Sequence, residues 1–175
     1  MTTSALSSAE QTELLAWLDE REARYEVIAG VVLVSPPDRF AHADRVAGVL
    51  SALRPAATSG LSVVGPSYAV YYDPSSPGDF VLPDVVVART DDCGDDGIRV
   101  APLLVVEVLS RSTRRRDWGD KLDIYAGLGV PHYWLVDPER HTATVLRLGP
   151  SGYEEAVTAV GDLVVEDPFA VRVPL

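Results

Sequence analysis

Asp84 stands between the apolar segment FVLP and the run VVVA, and Glu107 interrupts the still more apolar LLVVEVL. A carboxylate inside a buried strand is costly unless it is paired or bound to a metal. Lys121 lies beyond the basic segment RSTRRR that follows Glu107. It is the one lysine among 15 basic residues, the other 14 being arginine. Lysine is a compact charge whose pKa can move, whereas guanidinium stays protonated. A solitary lysine therefore marks a place where arginine will not serve, or else a solvated surface group in an arginine-biased chain. A hard cation such as magnesium takes one or two carboxylates, with waters and phosphate oxygens completing its shell. A nearby lysine orients or deprotonates a water, or stabilises charge building at phosphorus. These are the needs of phosphodiester hydrolysis. A purely structural reading competes with it: Glu107 and Lys121 as a buried ion pair that only supports packing.

Other groups carry less. Glu26, between Tyr25 and Val27, points by alternation away from both, as a solvated strand residue would. His42 sits near the start of a helix without a spaced metal-ligand partner, which favours a structural or surface role. DDCGDDG at 91–97 has Cys93 and Pro102 where a calcium loop needs ligands, so it is an acidic surface turn. No phosphate-binding glycine motif or zinc spacing is present, and Ser110 and Ser112 lack the glycine elbow of a hydrolase nucleophile.

The elements that must position these groups follow from periodicity and breakers. A first helix is expected over 7–20, with Ser7 and Glu10 spaced as a capping box and an apolar stripe that puts Trp17 in the core. Residues 24–35 form a hairpin turning at Ala29-Gly30. Pro36 and Pro37 end it, and a second helix spans about 39–54. Strands follow at 61–72, broken at Gly65-Pro66, and at FVLPDVVVA, interrupted by Pro83. Residues 101–109 read as a central strand buried on both faces. Asp117 or a neighbour caps a helix to about 127, with Lys121 and Tyr125 on one face. Residues 132–137 form a strand, 142–148 and 152–160 a hairpin, and the tail short strands. The class is α+β, a mixed sheet with helices packed on it.

At 175 residues one domain, 1–175, is expected. No apolar run is long enough to span a membrane, no leader pattern opens the chain, and the single cysteine fits a reducing cytoplasm. The net charge of −11 argues against a simple nucleic-acid coat protein but leaves room for a local basic patch at Arg111 and Arg114 to Arg116.

YEVIAGVVLVSPP, LPDVVVA, LLVVEVLS and RRDWGDKLDIYAGLGVPHYWLVDP together resemble the Uma-type family of restriction endonucleases, within the PD-(D/E)XK nuclease superfamily. The resemblance covers about residues 20–173 and is most specific at 103–138. It implies a restriction-endonuclease-like fold, a mixed central β-sheet flanked by helices. It also implies a magnesium-dependent endonuclease site, with manganese as a substitute, acting on DNA as a homodimer. Carried over by position, Asp84 matches the first acidic motif and Glu107 the second. The superfamily places its lysine two residues after that acid, where Leu109 stands here. Lys121 matches the place to which the basic residue migrates in this family. Glu26 matches a further acidic position and Tyr125 a position without an assigned role; beside them the Val108 carbonyl is a candidate metal ligand. Arg114, Arg115 and Arg116 are phosphate-contact candidates, or equally a solvated basic loop. Arg111 replaces the family's usual proline after EVLS. The alternative implied by the acidic charge is a catalytically silent nuclease fold that binds DNA or a protein.

Overall fold

The computed structural model describes residues 8–74, 78–111 and 113–175. Its chain order is α1 (Ser8–Asp19), β1 (Tyr25–Ile28), β2 (Val31–Val34), α2 (Phe40–Ala56), β3 (Leu61–Val64), β4 (Val70–Tyr71), β5 (Phe80–Val81), β6 (Val85–Arg89) and β7 (Leu104–Val108). Then come α3 (Arg114–Asp117), α4 (Asp120–Leu128), β8 (His132–Asp137), β9 (Thr142–Gly149), β10 (Gly152–Val160), β11 (Asp162–Val165) and β12 (Val171–Pro174).

Six strands form the central sheet in the order β10-β9-β8-β7-β6-β3. All neighbours are antiparallel except β7 and β8, which are parallel. Parallel neighbours need a crossover, and α3 and α4 supply it. The sheet is therefore mixed, as expected. A smaller sheet, β2-β1-β5-β4, stands beside it, and β11 pairs with β12.

Period-two alternation divides the central sheet between two cores. Leu104, Val106 and Val108 of β7, with Val85 and Val87 of β6, pack against Val46, Val49 and Leu53 of α2. Val86 and Val105 face the other side, among Tyr125, Tyr133 and Leu135. Asp84 and Glu107 stand two residues from Val86 and Val105, so they share that second face.

Three expectations change. Trp17 is half exposed because α1 buries only Leu18 fully, and the Arg21 guanidinium covers its ring at 4.1 Å. FVLPDVVVA is two strands in two sheets: Pro83 breaks the ladder, β5 pairs with β1 and β4, and β6 with β3 and β7. Asp117 does not cap the lysine-bearing helix, because it closes the separate turn α3 and Gly119 precedes α4. The capping-box residue Ser7 lies outside the described residues. The hairpin turns where expected, with Ala29 and Gly30 both at positive φ, 50° and 73°.

Candidate active site

The register of β6 and β7 pairs Val85 with Val106, which puts Asp84 opposite Glu107 one step past that pair. The Val108 amide donates to Asp84 Oδ2 at 2.8 Å, tying the acid to the end of β7. Asp84 Oδ1 accepts from Arg24 at 3.1 Å and lies 3.2 Å from His42 Nε2. Arg24 also bonds Asp38 and the Leu82 carbonyl. Burial pushes the Asp84 carboxyl up, but the His42 bond and nearby Lys121 outweigh it and hold it below the usual aspartate range. His42 moves the other way. Burial opposes its charge, yet Asp84 and Asp38 raise its pKa overall.

Glu107 accepts from Lys121 Nζ and from the Tyr125 hydroxyl, both at 2.8 Å and both on Oε1. Its Oε2 takes no hydrogen bond among the described residues. Lys121 and Tyr125 are one turn apart on the buried face of α4, so a single helix delivers both donors to one oxygen. Gly129 ends that helix at φ 87°, its amide reaching the Ala126 and Tyr125 carbonyls. Lys121 Nζ also lies 2.8 Å from Glu26 Oε1. Glu26 receives the Leu82 amide on Oε1 and Arg116 on Oε2, each at 2.9 Å. Glu26 is thus buried within the cluster, not solvated as alternation alone suggested.

The lysine amine is enclosed. Burial works against its charge, but Glu107, Glu26 and Asp117 together raise its pKa above the ordinary lysine range. It is held as an ammonium donor, not as a base. Burial drives the Glu107 carboxyl well above its usual range against the pull of Lys121, with repulsion from Asp117, Asp84 and Glu26 adding to the rise.

The structure therefore brings Asp84, Glu107, Lys121 and Glu26 together. It divides the arginine candidates. Arg114 bonds Asp137 at 2.8 Å, Arg116 bonds Glu26, and Arg115 is exposed without an ion-pair partner among the described residues. Sequence reasoning missed Arg24 and Asp38, which carry no local signal. It also missed Asp117, which is 1% exposed, with both carboxylate oxygens lacking a hydrogen bond among the described residues. Asp117 lies 4.0 Å from Lys121, and the i,i+4 spacing of the two was the available clue.

These groups border a cleft of about 450 Å³ whose walls include Arg24, Glu26, His42, Asp84, Glu107, Arg116 and Lys121. Among the described residues no three His, Cys, Asp or Glu side chains are arranged as a metal cage. Asp84 and Glu107 are instead a two-carboxylate set, with Glu107 Oε2 unengaged. That set fits a hard cation that keeps most of its own waters.

A mixed sheet whose adjacent strands present two acids to a lysine on the crossover helix defines a nuclease fold of the restriction-endonuclease type. The chain belongs to the Uma2 family, described as "Putative restriction endonuclease", which it matches over residues 10–173. Among solved structures it is similar to one described as "a putative nuclease belonging to DUF820", from Anabaena variabilis ATCC 29413. That similarity is 18% identity and a TM-score of 0.65, covering 84% of this chain and 83% of that chain. At this identity the likeness establishes the fold alone. No curated protein matches. The family supports a nuclease, a hydrolase with a nucleic-acid substrate. Among the described residues no helix is long and apolar enough to cross a membrane.

Proposed function

We propose that the chain is a metal-dependent endonuclease that hydrolyses phosphodiester bonds of DNA. The observation that supports it best is the convergence of Asp84, Glu107 and Lys121, from two strands and one helix, at the wall of one cleft. Asp84, Glu107 and the Val108 carbonyl would hold Mg2+, or Mn2+ in its place. When bound, such an ion polarises a phosphoryl oxygen and lowers the pKa of a coordinated water. Lys121, as an ammonium, donates hydrogen bonds to the attacking water or to the oxygens of the scissile phosphate. Glu26 and Tyr125 keep the lysine and Glu107 in place, Glu26 through the 2.8 Å contact to the amine and Tyr125 through the bond to Oε1. Two active sites are needed to cut both strands, so a homodimer in the cytoplasm is the working form of this reading.

Plasmid nicking with Mn2+ tests it. Wild type nicks and Lys121→Ala does not, whereas equal nicking by both would point to a contaminant. Calorimetric titration of Mg2+ or Mn2+ into wild type and Asp84→Ala separates this reading from a silent fold that only binds DNA or a protein. The silent reading has one observation in its favour: Arg24 and His42 already engage Asp84 Oδ1. Absence of metal binding by the wild type would decide for it.

A further inference from the structure

The acids of the cleft stand at one end of a longer row. Asp84 is opposite Glu107, Glu107 is paired with Leu135, and Leu135 with Thr144, so these side chains cross β6, β7, β8 and β9 on one face of the central sheet. Leu109, Asp137 and Thr142 make the next row on that face. Beyond the two leucines is a pocket of about 320 Å³ walled by Arg114, Arg140, Thr142 and Thr144. It meets the cleft at Leu109, which borders both. Neighbouring strands are spaced about 4.8 Å apart, so Thr144 on β9 lies about 10 Å across the sheet from Glu107 on β7. The pocket holds donors that the fold leaves unused. Asp137 is buried, and it accepts the Arg114 guanidinium on Oδ2 at 2.8 Å and the Glu139 and Arg140 amides on Oδ1. Both of its oxygens are thus engaged, and it braces Arg114 against the pocket wall. The Arg140 guanidinium comes no closer to Asp137 than 3.7 Å and is largely exposed. The Thr142 and Thr144 hydroxyls make no hydrogen bond among the described residues.

We infer that this pocket seats a backbone phosphate of the nucleic-acid strand that lies across the cleft. The inference deepens the nuclease reading and rests on it for the scissile phosphate at Glu107 and Lys121. Phosphates of one strand follow one another every 3.4 Å or so of helix axis, and farther apart when the strand is extended, so a seat about 10 Å away takes a phosphate about one to three nucleotides along. Guanidinium and hydroxyl groups are common donors to backbone phosphates, and such contacts fix register and orientation without reading sequence. Two guanidiniums against one fully engaged carboxylate leave the pocket positive in a chain whose net charge is −11. Attraction for a phosphate has to be local in such a chain. The pocket therefore sets where the strand lies, and the acids and Lys121 act on the bond that this placement presents.

The test is binding of a fluorescein-labelled DNA duplex of about 20 base pairs, followed by anisotropy in EDTA so that no cleavage intervenes, with salt varied from about 50 to about 200 mM. Arg140→Gln should weaken binding about three- to tenfold and reduce the slope of log K against log salt by about 1, as one lost phosphate contact does. Thr144→Val keeps the branched shape that suits a strand. It should weaken binding about two- to fivefold with the slope unchanged, because the donor it removes is neutral. Arg147→Gln is the control: alternation along β9 puts Arg147 on the opposite face, so its affinity should stay within about twofold of wild type. Each replaced side chain is exposed or half-buried, so all three variants should give the circular dichroism of wild type. Unchanged affinity and slope in Arg140→Gln, an equal loss in Arg147→Gln, or no binding by wild type would each overturn the inference. Inorganic phosphate separates a strand phosphate from a free anion: micromolar phosphate binding by calorimetry that Arg140→Gln abolishes would overturn the assignment to a strand. Mn2+-dependent cleavage of the duplex, with Arg140→Gln binding as wild type, would overturn the inference alone and leave the nuclease reading standing. The expected losses of binding without any cleavage by wild type would uphold the phosphate seat and remove the nuclease reading.

Discussion

Asp117→Asn is expected to make the protein more stable at neutral pH. Asp117 is buried, its carboxylate oxygens take no hydrogen bond of standard geometry among the described residues although the Thr113 side chain stands near enough to lower its pKa, and Lys121 is 4.0 Å away. Burial pushes its pKa from 3.8 up to about 6, against Lys121 and Thr113, with repulsion from Asp84 and Glu26 adding to the rise. A carboxyl whose folded pKa exceeds its unfolded value stabilises the fold while protonated. Its contribution is complete below the unfolded value and is lost as pH rises to the folded one. The gap corresponds to about 3 kcal/mol lost by neutrality, of which roughly 1 kcal/mol falls between pH 5 and 7. An asparagine of the same shape carries no charge, but its amide protons need partners, so a net gain of about 2 kcal/mol is expected at pH 7.5. That is about 4–8 °C in Tm for a chain of this size. Urea unfolding followed by tryptophan fluorescence from pH 5 to 8 measures it, staying above the sequence pI near 4.6 where the protein is least soluble. The difference between the two proteins should widen from pH 5 to about 7 and then level off. A variant less stable than wild type, or two parallel pH profiles, would refute the assignment of Asp117 as an uncompensated buried acid.

Lys121→Met leaves Glu26, Glu107 and Asp117 facing one another without the amine that links them, and should cost about 3–5 kcal/mol at pH 8 by urea unfolding. That cost should shrink on acidification as the carboxyls take up protons. Arg24→Gln removes the guanidinium from Asp84 Oδ1, and calorimetry should show Mn2+ binding about tenfold tighter, the worth of one charge-assisted bond. Tyr125→Phe deletes the hydroxyl bonded to Glu107 Oε1 and should destabilise by about 1–2 kcal/mol in thermal melts.

What the chain displayed openly was local. Continuous apolar runs in LLVVEVL and VVVA located the two central strands, and breaker chemistry located the hairpin at Ala29-Gly30 and the stop at Gly129. Two carboxylates at matching ends of those strands, with one lysine on the following helix, were legible from residue type and the family resemblance together. What stayed hidden depended on contacts between segments distant in sequence. Glu26 alternates like a solvated residue, and only the approach of Lys121 and Arg116, 95 and 90 positions later by residue number, shows that it is buried. Arg24 reaches Asp84 across 60 positions. Trp17 misled for the opposite reason: its helical spacing was correct, but an arginine one turn away, not the core, covers the ring.

The charges of the site are more informative than its individual members. Glu26, Asp84, Glu107 and Asp117 are all buried, and Arg24, His42, Arg116 and Lys121 all touch one or more of them. Had the cluster been selected for packing alone, apolar residues of similar volume would have served equally well or better. It is also not balanced evenly. Asp84 is overserved, with a guanidinium, an imidazole and an amide on its two oxygens, while Asp117 has none of these and Glu107 Oε2 is left unengaged. A cluster that only needed neutrality would have spread its donors over the acids. This one places a guanidinium and an imidazole on Asp84 and leaves Asp117 and Glu107 Oε2 without either.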